Sequence, residues 1–363
     1  MKKIAILLPD LRGGGAERVM VDLAQEFASL GHSVEFVLMR ATGEFLPEAQ
    51  RDFAIVDLAA PRARNATGAL IRYLRRRRPA AVIAAMWPLT AIAPVAARMA
   101  GFQGKVLASE HAILSRQYAP YGRFHRLALR VLVALGYRLA SARAGVSRGT
   151  CADMAALSWM TSDRFATVHN PVRAAVMPCR EALNAADALW GAKGTRILTV
   201  GSLKPVKNHA LLLQAFAVLP RSEARLMLLG QGQDEVALRV LAAELGIADR
   251  VIFAGFHLDP SPFYATADLF VLSSDHEGFG NVIVEALSFG LPVVSTDCPS
   301  GPAEILQGGR YGHLVPVGDA QALAHAMDEA LDTPADRAAL IRRAADFKPE
   351  IAARKYLELL GLA

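Results

Sequence analysis

Apolar residues fall into two alternating patterns along this chain. Short, largely apolar runs at 4–8, 34–39, 53–58, 79–85, 105–109, 165–172, 196–200, 225–229, 251–256, 269–272, 293–295 and 312–316 have the length and composition of buried strands. Between many of them, apolar residues recur every three or four positions. The clearest case is Val19, Met20, Leu23, Ala24, Phe27 and Leu30, closed by Gly31, which predicts an amphipathic helix with a glycine stop. Further helices are predicted at 69–78, 211–219 and about 235–245, and residues 320–362 read as helical. Repeated strand–helix–strand units predict parallel sheets covered by helices, an α/β doubly wound fold. The repetition breaks at 173–193, which reads as a linker. The expected organisation is a first domain over 1–172, the linker 173–193, a second domain over 194–345 and a helical tail over 346–363.

Length and composition narrow the class. The 363 residues suit two domains of ordinary size. No apolar run reaches the roughly 18 residues that a membrane-spanning helix needs; the longest, 127–140, contains Arg130 and Arg138. The apolar start stops at Pro9-Asp10 with no small-residue cleavage site behind it, so it reads as a first strand, not a signal peptide. Cys151, Cys179 and Cys298 are odd in number and widely spaced, against a disulfide framework or zinc site and for a reducing cytoplasm.

Charge is one-sided. Residues 1–180 hold 25 Lys and Arg against 12 Asp and Glu, a net of +13; residues 181–363 hold 15 against 22, a net of −7. The first half is thus suited to an anionic partner: nucleic acid, an anionic membrane surface or a diphosphate-linked acceptor. No nucleic-acid-binding motif accompanies the charge, which argues against the first. Arg75 to Arg78 close a predicted helix, where they complement the helix dipole or form a phosphate patch. Arg123, Arg126 and Arg130 share one helix face amid aromatic and apolar residues. That helix either lies on a membrane surface or packs on its sheet.

Candidate chemistry sits at strand ends. Gly13, Gly14 and Gly15 follow the first strand and open a helix, an arrangement that suits an anion. Arg18 stands where a dinucleotide fingerprint needs its third glycine, which argues against a nicotinamide-dependent oxidoreductase. His111 lies just past the strand at 105–109, where ligands of open parallel sheets bind. In the second half, the strand at 269–272 runs into a loop with Gly278 and Gly280 and then a helix from Asn281 that Gly290 stops. Glu277 stands in the mouth of that loop and Glu285 on the helix, with seven residues between them.

Taken together, these segments reach a family. The stretch from Gly201 to Asn208, the Glu277 and Glu285 pair, and Thr296-Asp297-Cys298-Pro299-Ser300-Gly301-Pro302-Ala303-Glu304-Ile305 resemble the retaining glycosyltransferase family 4. Gly13 to Arg18, Ser109-Glu110-His111 and Asn170-Pro171-Val172 are similar to its N-terminal landmarks, and the matches come in order over nearly the whole chain. The resemblance implies a GT-B fold: two facing Rossmann-like domains with a cleft, the acceptor bound mainly by the first and a nucleotide-sugar by the second. It also implies a terminal helix that returns to the first domain. Lys207 would pair with the donor diphosphate. An Arg usual in the family is replaced here by Ser202, and Lys204 is the cation nearest to it in sequence. Amides of Gly278, Phe279, Gly280, Asn281 and Val282 would support the diphosphate and sugar. Glu277 would accept from sugar hydroxyls and Glu285 from ribose hydroxyls. Gly14 and Gly15 would close on the diphosphate, His111 would face the sugar, and backbone near Phe256 would hold the base.

The implied function is transfer of a hexose or N-acetylhexosamine from a nucleoside-diphosphate sugar, with UDP the expected carrier, to a glycan or polyprenyl-diphosphate-linked acceptor. No cofactor is expected beyond the substrate nucleotide. The chain has no Asp-x-Asp pair, which fits leaving-group stabilisation by protein groups without a metal. The expected setting is the cytoplasm, with the basic half suited to the inner face of the membrane. Two other readings remain open at this point: a nucleotide-sugar epimerase of the same fold, and a non-catalytic nucleotide-sugar-binding regulator, which Ser202 favours.

Overall fold

The structure, a computed structural model, describes residues 1–191 and 193–363; Ala192, inside the expected linker, lies outside the described residues. The chain forms two compact units. One comprises Met1–Pro171 with Lys348–Ala363, the other Val172–Phe347.

The first unit is built on seven strands: β1 (Lys3–Leu8), β2 (Ser33–Leu38), β3 (Ala54–Asp57), β4 (Ala81–Ala85), β5 (Lys105–Glu110), β6 (Ala142–Gly145) and β7 (Ala166–Thr167). They pair in the order β3-β2-β1-β4-β5-β6-β7, all parallel. Side chains alternate across the sheet. Ile4, Ile6 and Leu8 of β1 join a core with Phe27 of helix Gly15–Ser29 and Tyr356, Leu357 and Leu360 of helix Pro349–Leu360. Ala5 and Leu7 join the opposite core, with Leu70, Tyr73 and Leu74 of helix Ala63–Arg77 and Leu89, Ala93 and Ala96 of helix Leu89–Ala100. Both faces are covered, which is why β1 is apolar throughout.

The second unit has six strands: β8 (Arg196–Val200), β9 (Arg225–Leu229), β10 (Val251–Gly255), β11 (Leu269–Leu272), β12 (Val293–Thr296) and β13 (His313–Val315). Their order is β10-β9-β8-β11-β12-β13, again parallel. Leu212, Leu213 and Phe216 of helix His209–Val218 and Leu323 and Met327 of helix Ala320–Asp332 pack against Leu226, Leu228, Leu269 and Val271.

Two expectations change. The predicted helix at 69–78 starts earlier, as Ala63–Arg77. The expected linker holds helix Arg180–Trp190, which belongs to the second unit. Leu183, Ala186 and Trp190 recur at helical spacing, but over a single short stretch of eleven residues behind Pro178 that no strand directly precedes. Trp190 is fully buried and its indole N–H donates to Thr266 Oγ1 at 3.0 Å. If these residues formed a mere linker, Trp190→Ala would cost nothing. We expect it to destabilise the second unit by about 3–5 kcal/mol, as for large-to-small changes in a core, read from urea unfolding of the full chain.

Candidate active site

Strand order reverses once in each sheet, between β1 and β4 in the first unit and between β8 and β11 in the second. Loops leaving the carboxyl ends of strands at such a reversal diverge and open a crevice for ligands. In the second unit those two loops carry Lys207 and Glu277.

After β8 the chain passes Gly201, Ser202 and Lys204 into a short 3₁₀ turn, Pro205–Lys207. Asn208 follows at φ +44° and caps helix His209–Val218 by accepting from Leu211 N. The same side chain donates to Asp275 Oδ1 at 2.8 Å. Asp275 N donates to Val206 O, and Ser273 Oγ donates to Lys207 O, both at 2.9 Å. The two loops are thus joined by both backbone and side chains. Across this join Lys207 Nζ donates to Glu277 Oε1 at 2.5 Å, and Ser274 Oγ donates to the same oxygen at 2.6 Å. Glu277 Oε2 has no hydrogen-bond partner among the described residues. A carboxylate held through one oxygen keeps the other for a substrate hydroxyl.

The glycine loop is fixed from behind. Glu277 N donates to Pro299 O at 2.9 Å, and Ser300 N donates to Glu277 O at 3.1 Å. Gly301 stands at φ +104°, and a Cβ there would come within 1.9 Å of the Phe279 carbonyl oxygen, so no larger residue fits. Gly280, at φ +99°, then leads into helix Asn281–Ser288, whose first turn has no side-chain cap. Glu285 Oε2 accepts from Tyr264 OH at 2.8 Å, and the buried Tyr264 ring stacks on Phe289 with centroids 5.8 Å apart.

Polar groups near the pair are kept uncharged. Burial lowers His209 to about 4, with Lys207 adding to the effect. Burial pushes the Cys298 thiol up to about 12, and Glu277 contributes. Cys298 is therefore a thiol at neutral pH, unsuited to act as a thiolate nucleophile.

In the first unit Gly14 precedes helix Gly15–Ser29 in an extended conformation. A Cβ at Gly14 would come within 2.3 Å of a Glu17 carboxylate oxygen. The helix N-terminus thus already holds a carboxylate of its own, which a diphosphate would have to displace. Arg18 is tied to Asp22 and Glu48, a structural use of the residue that replaces the fingerprint glycine. At the end of β5, Glu110 is fully buried and accepts from Thr90 Oγ1, Tyr137 OH and His111 N at 3.1–3.2 Å. Burial raises its pKa to about 7, against these hydrogen bonds. His111 Nε2 lies 3.1 Å from Ser109 Oγ, and burial lowers the ring to about 4.

Two family models match in sequence over nearly the whole chain: Glycosyltransferase Family 4 over residues 13–176 and Glycosyl transferases group 1 over residues 184–347. The chain belongs to glycosyltransferase family 4. Among relatives, the lipopolysaccharide core biosynthesis glycosyltransferase LpsE of Rhizobium meliloti is 37% identical over 170 residues, 46% of this chain and 49% of the relative, so that match spans about half of it. An N-acetylgalactosamine-N,N'-diacetylbacillosaminyl-diphospho-undecaprenol 4-alpha-N-acetylgalactosaminyltransferase of Campylobacter jejuni is 28% identical over 326 residues, 87% of each chain. Anabaena HepE, solved with UDP-glucose, superposes at a TM-score of 0.86 over all of both chains with 21% identity, a likeness of fold. Both sheets, β1 to β7 and β8 to β13, have the Rossmann-like parallel build of the GT-B fold.

For this family 4 member, the structure gathers Ser202, Lys204, Lys207, Glu277, Gly278, Phe279, Gly280, Asn281, Val282 and Glu285 on the loops and helix that follow β8 and β11. Lys204 is exposed and makes no ion pair among the described residues. Phe256 follows β10, at the outer edge of the same sheet, and is 39% exposed. Gly14, Gly15 and His111 belong to the first unit. Sequence reading missed Ser273, Ser274, Asp275 and Tyr264, which orient the expected residues. Asp275 and the two serines lay inside the motif stretch, but nothing in their spacing marks them as supports. Tyr264 lies thirteen residues before Glu277 and meets Glu285 only through packing.

The buried Glu110 gives a signed pH dependence. Its pKa is raised on folding from 4.5 to about 7, so the folded state binds the proton more tightly. Stability from this group is present below about pH 4.5 and is lost as pH rises through 7. His111 acts oppositely between about 4 and 6.5 but cancels when variants are compared. Relative to Glu110→Gln, the wild type is expected to lose stability between pH 4.5 and 7, by at most about 3 kcal/mol. Urea unfolding across that range checks it; parallel stability curves would refute the assignment.

Proposed function

We propose that the chain is a retaining glycosyltransferase that moves a hexose or N-acetylhexosamine from a UDP-linked donor to a lipid-linked or glycan acceptor of the cell envelope. The observation that carries this reading is the Lys207–Glu277 pair at the reversal between β8 and β11, with Glu285 on the adjoining helix. Two relatives support the acceptor class, one named for lipopolysaccharide core biosynthesis and the other for a diphospho-undecaprenol-linked sugar.

Each group then has a task. Lys207 spends one N–H on Glu277 and has two others for phosphate oxygens. The N-terminus of helix Asn281–Ser288 presents positive dipole to the same region. As the anomeric carbon–phosphate oxygen bond breaks, negative charge grows on the leaving diphosphate. Fixed positive groups placed there stabilise the transition state more than the ground state. The free Oε2 of Glu277 takes a sugar hydroxyl and Glu285 the ribose hydroxyls. The acceptor oxygen attacks on the face that the phosphate leaves, and the departing phosphate oxygen takes its proton. This sequence keeps the anomeric configuration without a protein nucleophile, and it fits the neutral Cys298 thiol.

A membrane surface is proposed for the first unit. Helix Arg123–Leu139 buries Leu129, Val133 and Tyr137 on one side. On the other it exposes Phe124, Leu127, Val131, Leu132, Leu135 and Leu139, with Arg123, Arg126 and Arg130 beside them. An apolar stripe flanked by arginines matches an anionic bilayer interface. No described helix is long and apolar enough to cross a membrane.

Lys207→Ala and Glu285→Ala are each expected to cut turnover at least tenfold, a loss of about 1.4 kcal/mol or more, measured with a UDP-sugar and a polyprenyl-diphosphate-linked sugar. Near-normal rates in both would mean that the site lies elsewhere. Conversion of the donor to its epimer without acceptor would replace transfer by epimerisation. Vesicles with anionic lipid should float the wild type, whereas Phe124→Ser/Leu127→Ser/Leu135→Ser should stay at the bottom. Absence of wild-type flotation, or equal flotation of the two, would remove the membrane reading.

A further inference from the structure

Behind the glycine loop of the second unit stands a buried charge whose polar partners all lie outside the groups assigned to the donor. Arg343, in helix Arg337–Ala344, is 9% exposed. Its Nε donates to Ile305 O and its Nη2 to Glu304 O, both at 2.8 Å, and its Nη1 donates to Asp346 Oδ2 at 2.7 Å. The same guanidinium lies over the Phe347 ring, 4.6 Å from its centroid. Phe347 in turn meets the Phe279 ring edge-on, with centroids 5.5 Å apart, and both rings are buried.

These contacts converge on residues 277–280 by two routes. Helix Pro302–Ile305 is a single turn, too short to satisfy its own last carbonyls, and Arg343 takes two of them. Ile305 N donates to Gly301 O at 2.9 Å, and Gly301 is the residue pressed against the Phe279 carbonyl. Pro299 and Ser300, just before it, hold the Glu277 backbone at both its N–H and its carbonyl. One route therefore runs through the single-turn helix and Gly301 to Phe279 and Glu277. The other runs through the Phe347 ring to the Phe279 ring. Taking a guanidinium out of water is costly, and an apolar side chain of similar size would fill the space without that cost. What the arginine adds is direction. Its planar fork spans two carbonyls and a carboxylate while its face lies on a ring. A lysine has the charge and the reach but neither the fork nor the face.

We propose that Arg343 is a positioning residue for the candidate site: through Gly301 and Phe347 it fixes the loop over residues 277–280, and with it the carboxylate and amides that meet the donor. That the loop is held stands on contacts within the second unit; that it is held for a nucleotide-sugar rests on the reading under the proposed function.

The test reads these two layers separately in the full-length protein, at a temperature where every variant is folded. Hydrogen exchange of peptides covering 276–285, followed by mass spectrometry without ligand, reports how firmly the loop is held. Met327→Ala, in the core under helix Ala320–Asp332, controls for plain loss of stability. Arg343→Lys and Arg343→Met are each expected to speed exchange of the loop amides about tenfold or more, with Met327→Ala within about twofold of the wild type. Unchanged loop exchange in both Arg343 variants, or equal acceleration in Met327→Ala, would overturn the proposal. Should neither Arg343 variant fold, Phe347→Leu decides, because it removes the ring of the second route and leaves the guanidinium its three acceptors. Faster loop exchange there supports the proposal and unchanged exchange overturns it. UDP affinity by titration calorimetry reads the second layer. Arg343→Lys should raise the UDP Kd about tenfold, with the acceptor KM within about twofold. A faster loop with an unchanged UDP Kd would overturn the link to the donor alone. A wild type that binds no UDP would remove the donor reading, and the exchange result would still decide the role of Arg343.

Discussion

Lys207 and Glu277 are opposite charges on loops that leave neighbouring strands, and most of the second unit's candidate site depends on their meeting. A partly buried ion pair contributes little to stability unless its geometry is held. Here it is held from several directions. Ser274 shares the Glu277 oxygen, Ser273 takes the Lys207 carbonyl, and Asn208 reaches Asp275. These contacts need β8 and β11 side by side, with both loops at the same edge, which the strand order supplies. What the pair gains is fixed orientation: a cation and a carboxylate already placed before ligand arrives do not need to reorganise around it.

The first unit solves a different electrostatic problem. Its candidate histidine, half-buried, sits next to a fully buried carboxyl. Desolvation draws the two toward their uncharged forms from opposite sides, Glu110 upward and His111 downward. Exposed positive charge lies apart from them, in Arg75 to Arg78 and in Arg123, Arg126 and Arg130. The second unit keeps a salt bridge at the ends of β8 and β11; the end of β5 in the first unit carries Glu110 and His111, which burial draws toward neutrality.

Much of this was legible in the chain because it rests on short-range pattern. Buried parallel strands are apolar throughout, so β1, β8 and β11 stand out. A loop that must turn tightly between strand and helix requires glycine at Gly280 and Gly301, and those residues carried the family resemblance. Glu277, Glu285 and Lys207 were found for the same reason. Helix Arg180–Trp190 was not, because its apolar spacing (Leu183, Ala186, Trp190) stands apart from the strand–helix–strand repeat that marks the other helices. Supports of the site were also invisible. Tyr264 beneath Glu285 and Tyr356 beside Ser109 make their contacts across 21 and 247 residues of chain, and no local spacing encodes contacts that only the packed fold creates. Arg123, Arg126 and Arg130 marked a helix whose burial the pattern left open. Its two apolar stripes, one packed and one bare, became distinguishable only once the sheet beneath it was in place.

Residues Lys348–Ala363 belong to the first unit, while Val172–Phe347 forms the second between them and Pro171. In chain order, the second unit is an insertion within the first. Leu357 and Leu360 complete the core that Ile4, Ile6 and Phe27 begin. During synthesis the first unit's sheet therefore emerges long before the helix that covers one of its faces. That apolar face stays short of its cover until the whole second unit has been made. The helix that brings Tyr356 to Ser109 thus becomes available only after the second unit has been made. Assembly of this part of the first unit waits on synthesis of the second, and a chain cut short before residue 348 would leave Ser109 without Tyr356 and Phe27 without its aromatic neighbour.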